Sequence, residues 1–169
     1  LAAIAAARYS GVSWEGIEKG LDTFFGAIRR FEKIAEVKGV TIVDDYAHHP
    51  TEIKATLSAA KELDYNNVIA VFQPFTFSRT ALLKDDFIKA LSIADKVILT
   101  PIMGSREKNT YGIKSEDLAA GLHDVCVVDG FENIADKIEE IARPGDLVIT
   151  MGGGDIYKAA HIIQGRHAE

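Results

Sequence analysis

The sequence predicts a Rossmann-like, doubly wound α/β domain, in which a mostly parallel sheet carries helices on both faces. Two observations lead to this fold class. From residue 31 onward, β-branched apolar runs alternate with patterns of helical period. With 169 residues, of which 47% are hydrophobic and 26% charged, the chain also has the length and composition of one globular domain plus a modest appendage.

The alternation places each element in order. Strands are predicted at residues 34–37, 41–45, 68–73, 96–101, 125–129 and 147–151. Helices are predicted at residues 50–63, 78–94, 115–122 and 131–142, with a final helix from about residue 156. Pro50 is tolerated in the first turn of its helix, where the charge of Glu52 suits the helix dipole.

The first 28 residues have a separate character. An Ala-rich helical run ends near Arg8, and a second helical run extends from Ser13 to about Phe25. We predict that residues 1–28 are terminal helices of a preceding domain and that residues 29–169 form the Rossmann-like domain.

Charge and cysteine content exclude several functional classes. The net charge of −6 is mixed along the chain, which leaves no basic stripe for a nucleic acid. The single cysteine, Cys126, lies in an apolar run and is interpreted as a buried, inert thiol, so no disulfide forms within the chain. No apolar stretch reaches membrane-spanning length, and the first seven residues lack a signal-peptide pattern. We therefore expect a cytoplasmic protein with no nucleic-acid or membrane partner.

Ligands of a doubly wound sheet bind beyond the carboxyl ends of its strands, so the segments that follow the strands are candidates for chemistry. Four such segments are rich in polar residues or glycine: residues 44–50, 73–80, 103–110 and 151–155. The loop at 103–110 is consistent with a mobile segment near a site. The M-G-G-G-D turn at 151–155 could offer backbone N–H groups to an anion or could be only a tight turn, and it lacks the G-x-G-x-x-G spacing of a dinucleotide site.

The first segment places two carboxylates at a strand end and two imidazoles at a helix start. These side chains could simply cap the helix that begins at Pro50. A divalent metal site is the alternative, but strand alternation places Asp44 and Asp45 on opposite faces, which disfavours it.

The second segment places Arg79 in the first turn of a helix. A cation there opposes the helix dipole, which points to an anionic partner for the guanidinium. The alternative is a surface arginine paired with Asp85 or Asp86.

Three ordered motifs resemble the C-terminal domain of the Mur ligase family, and within it the members that add L-alanine to UDP-N-acetylmuramate. They are R-R-F-E at residues 29–32, D-D-Y-A-H-H-P-T-E at 44–52 and F-Q-P-F-T-F-S-R-T at 72–80. The resemblance covers nearly the whole chain. It implies a three-domain enzyme that uses ATP and Mg²⁺ to form an acyl phosphate on the muramoyl carboxylate, which the amine of L-alanine then attacks.

The resemblance also assigns this chain only part of that enzyme. No G-x-x-x-x-G-K-[ST] motif occurs in the sequence, so the family's central ATPase domain would hold most of the ATP and Mg²⁺. Residues 1–28 would be the end of that central domain. The isolated chain is expected to be inactive, and residues 29–169 are expected to close over ATP and the amino acid.

The nucleotide contacts implied by the family involve five residues. Arg30 would reach an ATP phosphate, and Asp45 would contact the ribose. Tyr46 and His48 would lie beside the nucleotide, with His48 and His49 near the reaction centre. The resemblance assigns no definite catalytic residue and no metal ligand to this domain.

The implied amino-acid site centres on Arg79, which would hold the carboxylate of the incoming alanine. Phe75, Thr76 and Asp155 would line the site, with residues 153–155 facing the cleft. Many family members have His-Arg where this chain has Phe75-Thr76. Phe75 therefore removes a polar side chain from the region that chooses the amino acid.

Two alternative functions stay open at this point. The ligase that recycles murein tripeptide onto UDP-N-acetylmuramate shares the D-D-x-A-H-H-P-T motif, although it does not usually carry the second motif in this form. A stand-alone nucleotide-binding module would also fit the fold and the missing P-loop.

Overall fold

Six strands form one sheet in the computed structural model, which describes residues 1–24 and 26–168. The strands are β1 (Glu32–Val37), β2 (Val40–Asp45), β3 (Val68–Phe72), β4 (Lys96–Leu99), β5 (Val125–Val127) and β6 (Leu147–Met151). Their order across the sheet is β1-β2-β6-β3-β4-β5, and every neighbouring pair is parallel except β1 with β2. The predicted doubly wound, mostly parallel sheet is confirmed.

Eight helices lie within the described residues. They are α1 (Ala2–Tyr9), α2 (Trp14–Asp22), α3 (Pro50–Lys61), α4 (Phe77–Leu82), α5 (Lys84–Leu91), α6 (Ser115–Ala119), α7 (Phe131–Ile141) and α8 (Tyr157–Arg166). Most elements begin and end within two residues of their predicted bounds. The predicted end of the second helix, Phe25, lies outside the described residues.

The prediction of one helix over residues 78–94 is wrong. Two helices, α4 and α5, meet at Leu83, whose φ of −111° and ψ of 20° leave the helical region. Each half has a helical pattern in the sequence, so the break has a tertiary cause. It lets α5 direct Phe87 and Leu91 into the core, while α4 keeps Arg79 directly after β3.

Alternating side chains of the strands build a hydrophobic cluster on each face of the sheet. One cluster joins the strands to α3, α5 and α6 through Val43, Ala70, Phe72, Ile149, Ile53, Leu57, Phe87 and Leu118. The other joins them to α7 and α8 through Ile42, Ile69, Val71, Val148, Ile134, Ile138, Ala159 and Ile163. These side chains are almost fully buried, which fixes the strands that carry the site.

The parallel strands end at one level. Asp45 is in register with Met151, which is in register with Phe72, which is in register with Leu99. The segments that follow β2, β6, β3 and β4 therefore leave the sheet side by side. This register brings together all four segments that the sequence singles out.

Helices α1 and α2 pack against each other and leave large apolar side chains exposed. Ile17 is buried, whereas Tyr9, Trp14 and Leu21 are exposed. The assignment of residues 1–28 to a preceding domain stays a prediction. In the described part of the chain, no helix is long and apolar enough to cross a membrane.

Candidate functional site

Arg29 connects the start of the domain to the ends of two strands. Its Nε donates to Asp44 Oδ2 at 2.7 Å, and its Nη1 and Nη2 donate to the carbonyl oxygens of Gly154 and Gly152 at 3.1 and 2.7 Å. Asp44 is 1% exposed, and its Oδ1 accepts from the Thr150 hydroxyl at 2.6 Å. Both charged groups are satisfied on several sides, which is the condition for a buried ion pair to be stable. Arg29 thus fastens the segment before β1 to the ends of β2 and β6.

Two tyrosine rings flank this guanidinium. Arg29 Cζ lies 4.9 Å from the ring centroid of Tyr46 and 4.8 Å from that of Tyr157. Arg30 Cζ lies 5.7 Å from the same Tyr46 ring, and both Arg30 and Tyr46 are exposed. Of the two neighbouring arginines, Arg30 is therefore the one whose guanidinium is accessible to a ligand, and its contact with a phosphate stays a prediction.

Asp45 closes the turn after β2. Its Oδ2 accepts from the Phe31 N–H at 2.9 Å, and its Oδ1 accepts from the Ala47 N–H at 2.8 Å and the Thr56 hydroxyl at 3.4 Å. Arg29 and Phe31 have φ values of 57° and 50°, a region that costs energy for residues with a side chain. Asp45 therefore stabilises residues 29–31, the strained linker that precedes β1, in agreement with the turn interpretation. Its contact with a ribose stays a prediction.

The two histidines have different roles at the start of α3. His49 is the N-cap, and its Nδ1 accepts from the Thr51 N–H at 3.3 Å. His48 Nδ1 lies 3.0 Å from the Tyr46 carbonyl oxygen and 3.4 Å from Glu52 Oε2. Because both neighbours are acceptors, Nδ1 is the nitrogen that carries the hydrogen, and in the neutral form of the ring the lone pair is on Nε2.

Glu52 completes the capping box of α3. Its Oε2 accepts from the N–H groups of His48 and His49 at 3.0 and 3.1 Å. Burial acts to raise the pKa of Glu52, but these hydrogen bonds and the charge of Arg30 hold the pKa below its ordinary value. The carboxylate therefore fixes the backbone that carries both predicted histidines.

Gln73 ties the end of β3 to the glycine turn after β6. Its Oε1 accepts from the Asp155 N–H at 2.9 Å, and the residue is 8% exposed. A Cβ at Gly154 would collide with Gln73 Oε1 and Met103 Sδ, so the close approach requires glycine. The Asp155 carboxylate pairs with Lys158 at 2.9 Å. Its predicted place in the lining of the amino-acid site stays a prediction.

Arg79 contrasts with Arg29. Its Nη1 is buried and has no hydrogen-bond partner among the described residues. In the same part of the chain it forms no ion pair with Asp85 or Asp86, and the Asp86 carboxylate lies 4.0 Å from Lys89. A buried donor without an acceptor costs about 1–3 kcal/mol, and more when it is charged. Nη1 is therefore a donor available to an anion, and the contact of Arg79 with an amino-acid carboxylate stays a prediction.

The residues before Arg79 are held in a strained extension of β3. Phe75 forms an isolated parallel bridge with Met103, whose N–H donates to the Pro74 carbonyl oxygen at 2.9 Å. The Thr76 N–H donates to the Met103 carbonyl oxygen at 2.9 Å. Thr76 has a φ of 67°, which is unfavourable for a β-branched residue. Such strain is typical of functional segments, and the place of Phe75 and Thr76 beside the amino acid stays a prediction.

Two further expectations concern metal and thiol chemistry. Across residues 1–24 and 26–168, no group of three or more His, Cys, Asp or Glu side chains could hold a metal ion. Cys126 is half-buried rather than buried, and burial raises the pKa of its thiol. A raised pKa keeps the thiol protonated and unreactive near neutral pH.

Several residues that build the site were missed by the sequence reasoning. Arg29, Tyr157 and Gln73 connect segments that are far apart in the sequence. Glu107, which accepts from Ser78, lies in the polar loop but was not singled out.

The sequence matches a known family over most of its length. Residues 29–154 match the family model described as Mur ligase, glutamate ligase domain, and the chain belongs to the Mur ligase family. Among curated proteins, it is 52% identical over 162 residues to the UDP-N-acetylmuramate–L-alanine ligase of Lachnospira eligens, covering 94% of this chain and 35% of that protein. The chain thus spans about a third of the length of the relatives it matches.

Solved structures share this fold. The chain is similar to the UDP-N-acetylmuramate-alanine ligase of Thermotoga maritima, with a TM-score of 0.75 and 24% identity over 97% of this chain and 35% of that one. It is also similar to a murein peptide ligase of Psychrobacter arcticus, with a TM-score of 0.67 and 26% identity over 96% of this chain and 35% of that one. Both likenesses extend over nearly the whole chain, α1 and α2 included.

Proposed function

We propose that this chain is the domain of an ATP-dependent ligase that closes over ATP and binds L-alanine, which the enzyme joins to UDP-N-acetylmuramate in peptidoglycan synthesis. One observation carries the amino-acid half of the proposal: Arg79 Nη1 is buried without a partner among the described residues. A guanidinium binds a carboxylate through two parallel hydrogen bonds, which would satisfy this nitrogen. The 52% identity to an alanine-adding ligase supports alanine as the amino acid.

The reaction would proceed in two steps. The muramoyl carboxylate attacks the terminal phosphorus of ATP, which releases ADP and forms an acyl phosphate. The alanine amine then attacks the acyl carbon, phosphate leaves, and the amine loses a proton. Arg79 would hold the alanine carboxylate and so orient the amine for attack.

The accessible residues near the linker fit a nucleotide. Arg30 offers an exposed cation for a phosphate, and the exposed ring of Tyr46 lies beside it. His48, with its lone pair on Nε2, lies close to Tyr46 at a ring-centroid distance of 5.2 Å. The Asp45 carboxylate already accepts three hydrogen bonds from within the chain. It would therefore contact the ribose through a remaining lone pair.

Mg²⁺ would be held mainly by other parts of the enzyme. The described residues of this chain contain no cluster of three side chains suited to a metal ion. The ion would neutralise the ATP phosphates when bound. A ligase that consumes ATP belongs where ATP is, so the proposal includes the cytoplasmic location expected from the sequence.

A second candidate substrate is murein tripeptide, favoured by the likeness to a murein peptide ligase. The apolar Phe75 beside the proposed amino-acid site also leaves the choice of amine to be tested. The two candidates differ in whether the attacking amine belongs to free alanine or to a peptide, so an assay with each substrate separates them.

The test is phosphate release by the full-length ligase that contains this chain, supplied with ATP, Mg²⁺, UDP-N-acetylmuramate and either L-alanine or murein tripeptide. We expect turnover with L-alanine and a loss of about a hundredfold or more in kcat/KM for alanine in Arg79→Ala. Arg143→Ala is a matched control, because Arg143 is an exposed arginine that precedes β6, at the opposite end of the sheet. Preference for the tripeptide, or full activity of Arg79→Ala, would contradict the proposal.

A further inference from the structure

The short helix that carries Arg79 lacks a cap of its own. Within the described residues, the N-cap Thr76 makes no side-chain hydrogen bond to α4. The Glu107 carboxylate takes that place: its Oε2 accepts from the Ser78 N–H at 2.9 Å, and its Oε1 accepts from the Ser78 hydroxyl at 2.6 Å. A carboxylate at this position satisfies an orphan backbone donor and opposes the positive end of the helix dipole. Glu107 is therefore an external cap for α4, supplied from 29 residues away.

The loop that supplies Glu107 is itself fixed to the same segment. Met103 exchanges backbone hydrogen bonds with Pro74 and Thr76, each at 2.9 Å. Gly104 lies so close to the Phe77 ring that a Cβ would collide with it. The Glu107 N–H then donates to the Gly104 carbonyl oxygen at 2.9 Å, which closes a turn and returns the carboxylate to α4. The loop thus contacts α4 and the residues just before it at Met103, Gly104 and Glu107.

Charge connects this cap to Arg79. Hydrogen bonds from the Ser78 hydroxyl and N–H, with the nearby Arg79 guanidinium, hold the pKa of Glu107 below its ordinary value. In the described residues, Glu107 and Arg79 form no ion pair within 4 Å. The carboxylate is close enough to influence the guanidinium and leaves Nη1 unpaired. Glu107 thus lies near the Arg79 guanidinium without forming an ion pair with it.

We propose that Glu107 is a positioning residue for Arg79, and that its two hydrogen bonds to Ser78 hold α4 in the orientation that binds the amino-acid carboxylate. This inference rests on the proposed function, because it assigns a use to Arg79. It adds a residue from a different loop to the amino-acid site. The strained φ of Thr76 makes the contact with Glu107 more important, because a strained residue directly before α4 persists only when the surrounding contacts fix it.

The test measures KM for L-alanine, KM for ATP and kcat in the full-length ligase with Glu107→Ala, Glu107→Gln and Ser78→Ala. We expect Glu107→Ala to raise KM for L-alanine about tenfold, with KM for ATP and kcat within about twofold of the parent. Glutamine can accept from the Ser78 N–H and donate to its hydroxyl, so Glu107→Gln restores most of the affinity. Glu116→Ala is the matched control, because Glu116 is an exposed glutamate that follows the same loop.

A double-mutant cycle tests the contact itself. Ser78→Ala in the Glu107→Ala background should add little to the rise in KM for L-alanine, because the partner is already missing. Additive effects of the two substitutions, or equal changes in KM for ATP and L-alanine, would overturn the inference.

The assay also separates this inference from the proposed function. A parent enzyme inactive with L-alanine would reject the function, and the inference with it. A parent that is active and loses activity in Arg79→Ala, but is unchanged in Glu107→Ala, would reject the inference alone.

Discussion

The two arginine-bearing segments at the carboxyl edge of the sheet differ in how their guanidinium groups are satisfied. Arg29 donates to Asp44, Gly152 and Gly154 and lies between two tyrosine rings. Arg79 has a buried Nη1 with no partner in the described residues. Both segments also contain residues with positive φ, so both are strained.

The difference distinguishes a cation that is paired within the chain from one whose Nη1 has no partner among the described residues. In the linker segment, side-chain hydrogen bonds from within the chain offset the strain. In the segment after β3, backbone and Glu107 contacts hold the strained residues, and the guanidinium is left unsatisfied. Buried polar groups are normally paired, so this nitrogen is where we propose that a ligand binds.

The largest effect on stability is expected from Asp44→Ala, which leaves the Arg29 guanidinium without its counter-ion and removes the shorter of the two hydrogen bonds of the Thr150 hydroxyl. Breaking a buried pair by removing one partner costs about 3–5 kcal/mol. Thr150→Val is the control, because it removes only a neutral hydroxyl that donates to Asp44 and to the Val43 carbonyl oxygen, and it should cost about 1 kcal/mol. Urea unfolding followed by circular dichroism measures both, and a cost for Asp44→Ala as small as that of the control would refute the structural role of Arg29.

A smaller effect is expected from the glycine turn that joins the two segments. Gly154→Ala would drive a methyl group into Gln73 and Met103 and should cost about 1–3 kcal/mol. Gly153→Ala is the matched control, since its nearest neighbour would be His48 Cγ at 3.5 Å, an ordinary contact. Thermal unfolding of both variants tests this. Equal melting temperatures would mean that the turn relaxes without cost.

The smallest effect is expected from Glu52→Gln, at about 0.5–1 kcal/mol at pH 7, because one capping hydrogen bond weakens. The pKa of Glu52 is lowered in the folded state, so its stabilisation is present above the ordinary value of 4.5 and is lost as pH falls through the folded pKa. The variant and the parent should therefore converge below about pH 4. Unfolding measured from pH 3 to 7 compares the variant with the parent, and a difference between them that stays constant over this range would contradict the role of the Glu52 carboxylate.

Most of the fold could be predicted from the sequence because the buried strands are apolar on both faces and alternate with helices. The break at Leu83 could not, because residues on both sides of it have helical periodicity. The helix breaks at Leu83 because Phe87 is buried in the core while Arg79 stays at the end of β3. That requirement exists only in the tertiary structure.

The site was predictable in its segments but not in its contacts. Arg79 could be singled out because a cation in a first helical turn conflicts with the dipole, and among the described residues it forms no ion pair with Asp85 or Asp86. Arg29 could not, because its acceptors at Gly152 and Gly154 lie 123 and 125 residues away. Glu107 likewise contacts Ser78 across 29 residues.

The measurement that tests the central claim most directly is urea unfolding of this chain with Arg29→Met and with Arg79→Met, two substitutions that keep an apolar stem and remove the charge. We predict a loss of about 3 kcal/mol or more for Arg29→Met, because Asp44 remains buried without its cation. Arg79→Met should stay within about 0.5 kcal/mol of the parent or be more stable, because it removes an unsatisfied nitrogen. A loss for Arg79→Met that equals the loss for Arg29→Met would show that Arg79 is also a structural residue, and would contradict its assignment to a ligand.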